Sequence, residues 1–184
     1  MPTSEKIASI SWCWIALSLA IAAALLSVLI VIDGSLVALG VPGANSLQQA
    51  SSADEFGAIV TAWRDAGAPA LARAGFSLGW DCLFLVSYGT AFTLAGLKSR
   101  DELFPAPGLA RAIALVAVVL MPLGAALDAV ENILQLKMVV GEFDPQLAQW
   151  SARVTSVKWV LVTPCMLLAL VGVTAAVVRT IRRK

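Results

Sequence analysis

Four predominantly apolar runs, each long enough to cross a bilayer as a helix, constrain this chain more than anything else in it. They cover residues 7–32, 75–97, 109–136 and 154–178, and a helix needs about 20 apolar residues to span the hydrocarbon core. The fold class that follows is all-α: an integral membrane four-helix transmembrane bundle, with residues 1–184 as one transmembrane domain. Composition agrees. Charged residues make up 14% of the chain and hydrophobic ones 59%, and the mean hydropathy is +0.86, whereas soluble domains carry about a quarter charged residues. The first run is too long for the apolar core of a signal peptide and ends in no small-residue cleavage site, so it is expected to stay as a signal anchor.

Orientation follows from where Lys and Arg fall in the short loops. Lys6 precedes the first run, Lys98, Arg100 and Arg111 lie between the second and third, and Arg179, Arg182, Arg183 and Lys184 close the chain. Both termini are therefore expected in the cytoplasm, of a bacterial-type inner membrane on the chain's compactness. Trp12 and Trp14 then fall at the inner interface, and Trp63, Trp80, Trp150 and Trp159 at the outer one. The terminal basic run is also expected to meet anionic lipid headgroups, so membrane lipids are expected partners.

The first outer loop, residues 33–74, carries its own pattern. SSADEFGAIVTAWRDAG opens with Ser and Asp capping residues and sets Phe56, Ile59, Val60 and Trp63 at helical spacing. Gly67 and Pro69 end that pattern and restart the chain. The reading is an amphipathic helix over about residues 53–65, lying on the membrane surface or over the mouth of the bundle, as a packing lid or a gate.

Function classes fall away quickly. Histidine is absent, which removes the commonest metal and haem ligand and any Ser-His-Asp arrangement. Cys13, Cys82 and Cys165 stand singly in apolar runs, without the spacing of a redox or zinc motif. No glycine-rich phosphate loop occurs, no nucleic-acid partner is indicated, and no cofactor or metal is expected. No motif carries a resemblance to a known family.

What remains is a polar face inside the third run. LDAVENILQLK places Asp128, Glu131, Asn132 and Gln135 together with Gly124 on one side of a helix. The second run offers Ser77, Asp81 and Tyr88 on one face, beside a Gly75-x-x-x-Gly79 spacing that permits close helix approach. The fourth brings Lys158. At 1.5 Å per residue, Glu131 lies about 9 Å and Asp128 about 13 Å inside the edge at Lys137; Asp81 and Lys158 lie about 9 Å and about 8 Å inside theirs. Pro122 and Pro164 fall just below this level, where kinks would leave a cavity or merely bend the helices.

Three carboxylates facing one ammonium do not balance. A charge at mid-bilayer costs about 2.5–3.5 kcal/mol on the lenient insertion scale. Either a carboxyl holds a proton, with Asp128 and Glu131 the pair to share it, or an external cation occupies the site, or water enters. The leading expectation is an intramembrane acidic site near the outer leaflet for a small cationic or amphipathic lipid-like ligand, with proton coupling open to it. Asp81, Asp128 and Glu131 would hold charge, Lys158 would balance it, and Tyr88, Asn132 and Gln135 would orient. One alternative is a non-catalytic accessory or assembly subunit, in a homo- or hetero-oligomer, whose cluster is a structural latch. The last is a lipid-modifying enzyme using the Asp128/Glu131 pair as acid and base, which no nucleophile or cofactor motif supports.

Overall fold

A computed structural model of the chain describes residues 10–182. Lys6, residues 7–9 of the first apolar run, Arg183 and Lys184 lie outside those residues. The described chain is all-helical: α1 (Trp12–Val37), α2 (Ser46–Gln49), α3 (Ala53–Asp65), α4 (Ala68–Leu103), α5 (Leu109–Val140) and α6 (Pro145–Arg182). Four of these, α1, α4, α5 and α6, are long and apolar enough to cross a membrane. Each of the last three runs on past its apolar stretch, because polar residues at the ends continue the backbone hydrogen bonding without having to face lipid.

The helices α4, α5 and α6 pack against one another in a triangle, and α1 lies along α4. Ser11 caps α1 by accepting from the Cys13 N–H at 3.2 Å. Only Ile15, Ala22, Ile32 and Leu36 of that helix are buried, as fits a helix that is apolar all round. Tyr88, Val118, Met121, Val162 and Cys165 fill the middle of the bundle. Ile15, Ala95 and Ala169 close the end near the termini.

The opposite end is built around α3. Ser52 caps it, its hydroxyl accepting from the Glu55 N–H at 3.2 Å. The Glu55 carboxylate in turn accepts from the Ser51 N–H at 2.7 Å and the Ser51 hydroxyl at 2.9 Å. These donors hold the Glu55 carboxyl below its ordinary range. Gly67 takes φ +84°, a left-handed turn that glycine adopts without strain, and Pro69 follows in the first turn of α4. Phe56, Val60 and Trp63 are buried in a cluster with Leu36, Leu47, Ala74, Met138 and Ala148. Trp63 therefore does not sit at a lipid interface as its place in the chain suggests. It is fully buried, and its indole N–H donates to the Pro42 carbonyl at 2.7 Å. Arg64 donates to the carbonyls of Met138 and Gly141, and Phe143 stacks on Phe56. The helix is thus fastened to the α5–α6 turn.

Neither proline breaks its helix. Both α5 and α6 run through, with Pro122 and Pro164 on outward, exposed faces. The small-residue spacing on α4 also proves not to be a packing seam. A Cβ on Gly75 or Gly79 would meet nothing within 4 Å. The close approaches are elsewhere: a Cβ on Gly96 would come within 2.8 Å of Cys165 and 2.9 Å of Val118, one on Gly124 would strike Val162, and one on Gly172 would strike Ser99.

Candidate functional site

The polar face of α5 turns inward, as its spacing predicts. Asp128, Glu131, Asn132 and Gln135 are all buried, and they meet α4 on one side and α6 on the other. Against α6, the Lys158 ammonium approaches Asp128 Oδ1 at 2.7 Å and Glu131 Oε2 at 2.6 Å. The first contact is an aligned hydrogen bond. The second lies off the hydrogen-bonding direction, leaving Oε2 an ion pair by distance alone. Tyr88, from α4, donates its hydroxyl to Asp128 Oδ2 at 2.7 Å. Gln135 donates to Glu131 Oε1 at 2.9 Å and reaches Ser151 Oγ at 3.3 Å. Lys158 also lies 5.6 Å from the centre of the Trp159 ring, within cation–π range. Gly124 makes this contact possible: it sits one turn before Asp128, where any side chain would strike Val162 of α6.

Asp81 goes a different way. The charge count treats it as a third carboxylate on Lys158, but its bonded partner is Asn132, whose amide donates to Asp81 Oδ2 at 2.7 Å. Its other oxygen has no hydrogen bond or ion pair to a described residue. Asn132 is 2% exposed, and its own carbonyl oxygen, Oδ1, has no hydrogen-bond partner. A buried acceptor left unmade costs about 1–3 kcal/mol.

Both residues line a cavity of about 410 Å³ at the α3 end of the bundle. Its walls are Leu26, Leu29 and Ile30 of α1, Ser77, Leu78 and Phe84 of α4, Gln135 of α5, and Trp159 of α6. Asp33, at the end of α1, lines it too, together with Ala44, Asn45 and Gln48. Asp33 accepts from the Asn45 N–H at 2.9 Å. Residues Leu26, Ile30 and Trp159 are also exposed on the outside of the bundle, so the cavity opens sideways, between α1 and α6.

All seven residues singled out from the sequence thus lie in one polar layer, divided into two halves. Lys158, Asp128, Glu131 and Tyr88 form a closed ion-pair centre that Gln135 borders, and none of the first four lines the cavity. Asp81 and Asn132 form an open half that faces it. Sequence reasoning missed Asp33, which counts only as a loop charge in the chain, and Ser151, a small polar residue seven before Lys158 on the same face of α6. Among the described residues no three Asp, Glu or Cys side chains gather as metal ligands would. Compared with protein-family models, with curated proteins and with solved structures, the chain matches none.

Proposed function

We propose that this chain is an integral membrane protein, with both termini cytoplasmic in a bacterial-type inner membrane, that binds a small cationic or amphipathic lipid-like ligand in its sideways-opening cavity. The orientation rests on charge. Lys98, Arg100, Arg111, Arg179 and Arg182 all lie at the end of the bundle away from α3, the distribution that the positive-inside rule assigns to the cytoplasm. Of the basic residues at the α3 end, Arg64 and Arg73 are engaged by backbone carbonyls, Arg153 lies over the Trp150 ring, and Lys137 stands in the last turn of α5. The cavity then belongs to the outer leaflet.

One observation carries the reading: a carboxylate, Asp81, stands at a cavity with both apolar and polar walls, and one of its oxygens has no hydrogen bond or salt bridge to a described residue. Ionisable groups inside a membrane are costly and are found where they pair or serve a ligand path. Volumes of about 300–1,000 Å³, with apolar walls and a few polar groups, are typical of small-molecule sites. The latch reading keeps a specific observation of its own, the enclosure of the Lys158 centre. It applies to that half only, and the two readings describe different parts of one layer. An acid–base role for Asp128 and Glu131 gains no support, since both are committed to Lys158 and shut off from the cavity.

Thermal unfolding of the purified protein tests the reading. A ligand that binds only the folded state raises the unfolding midpoint. A hydrophobic amine such as decylamine is expected to raise the midpoint of the wild-type chain and not that of Asp81→Asn. An equal rise in both sinks it.

A further inference from the structure

Asp81 is not the only group in the cavity with an oxygen to spare. Ser77 stands one turn before it on α4, and Gln135 one turn after Asn132 on α5. The two helices run antiparallel, so both residues lie about 5 Å nearer the α3 end than the Asp81–Asn132 pair. Both line the cavity. Ser77 is 6% exposed, and its hydroxyl bonds to no described residue, whereas Thr90 and Thr93 of the same helix each donate to the carbonyl four residues back. Gln135 is 1% exposed. Its amide nitrogen is taken up by Glu131 and Ser151, which leaves its oxygen with no donor among the described residues. Resting on the ligand reading above, we infer that Ser77, Asp81 and Gln135 form a binding site for a monovalent metal cation such as sodium.

Hard metal cations take oxygen ligands, and a carboxylate, an amide carbonyl and a hydroxyl meet at this place. The single carboxylate sets the charge. A monovalent ion neutralises Asp81, whereas a divalent ion leaves a positive charge inside the membrane, where charge is costly. The sealed centre beside the site adds to the attraction, because Asp128 and Glu131 set two carboxyls against the one ammonium of Lys158. The excess of acid in the polar layer, which its ion pairs do not balance, is thus reduced by the bound ion. Asp33, Asn45 and Gln48 line the same cavity from the end of α1 and the segment after it. They give a dehydrating ion a polar approach from the α3 end, apart from the apolar opening between α1 and α6.

The test is saturable binding of radioactive sodium to the full chain in detergent, counted against protein-free micelles and against excess unlabelled sodium chloride. The wild-type chain is expected to hold a single ion and Asp81→Asn none. Ser77→Ala is expected to raise the sodium concentration for half-saturation by about tenfold, the equivalent of one net hydrogen bond. The Ser77 hydroxyl bonds to no described residue, so its removal breaks no contact and keeps the test open where Asp81→Asn fails to fold. Decylamine is expected to displace the ion, because both take Asp81. Stabilisation by decylamine through Asp81 without saturable sodium binding overturns the metal site and leaves the broader ligand reading standing. Sodium binding that Asp81→Asn retains, or whose affinity Ser77→Ala leaves unchanged, overturns the site as well. Sodium binding that depends on both residues, with decylamine neither displacing the ion nor stabilising the chain, upholds the site and removes the amphipathic ligand.

Discussion

Lys158 holds the closed half of the polar layer together, one ammonium between two carboxylates and beneath an indole ring. A buried ion pair is weak evidence of net stability, because desolvation offsets most of its attraction. Breaking one is another matter. Lys158→Met leaves Asp128 and Glu131 enclosed without their cation, and losses of about 3–5 kcal/mol are typical when one partner of a buried pair is removed. Asp81→Asn is expected to cost about 1 kcal/mol or less, the scale of a single ordinary hydrogen bond, because its new amide oxygen still accepts from Asn132 and its surroundings are open. Equilibrium unfolding in mixed detergent measures both. If the two substitutions cost the same, the division into a closed centre and an open site is wrong.

Helix against helix, the contact between α5 and α6 depends on an absent side chain. At Gly124 the two backbones come so close that a Cβ overlaps Val162. Gly124→Ala is expected to destabilise the bundle by about 1–3 kcal/mol, the usual cost of overpacking. It should also loosen the Lys158 contacts one turn away, visible as faster hydrogen exchange in residues 124–135. Gly79→Ala on α4 is the control, since its Cβ meets nothing and alanine favours the helix by up to about 1 kcal/mol over glycine. It is expected to leave stability unchanged or raise it. Were Gly79→Ala the damaging one, α4 would have to pack through the Gly75-x-x-x-Gly79 face against something other than its own bundle.

Taken together, the helices form a tripod with a side opening. The triangle of α4, α5 and α6 carries the closed centre, and α1, resting along α4, walls the cavity from the other side. At the α3 end Trp63, Phe56 and Arg64 tie the connecting segment down. At the other end Glu102 gathers three helices, accepting from Trp12 at 3.0 Å and Arg179 at 2.9 Å while Lys98 of its own helix lies 3.4 Å away. Such ties leave the sense of insertion as the decisive property of the assembled protein. With the exposed cysteines replaced (Cys13→Ser and Cys82→Ser), a membrane-impermeant maleimide on intact cells is expected to label Gln49→Cys and not Pro107→Cys. The reverse pattern would move the cavity to the inner leaflet.

Much of this architecture is readable along the chain because it is local. Apolar length marks the four crossing helices, Ser52 and Gly67 bracket α3, and spacing alone puts Asp128, Glu131, Asn132 and Gln135 on one face of α5. Each of those depends on residues within a few turns of one another. What spacing does not carry is which partner a side chain meets, for that depends on how far each helix is rotated about its axis, and the rotation is settled jointly by every neighbour it packs against. So Asp81 bonds to Asn132 rather than joining the other acids at Lys158, Asp33 comes from the end of α1 to the same cavity, and the tight glycine is Gly124 rather than Gly79. A polar layer can be anticipated from one helix at a time. Its division into a sealed ion pair and an open carboxylate arises only when three helices are packed together and a fourth leaves a gap beside them.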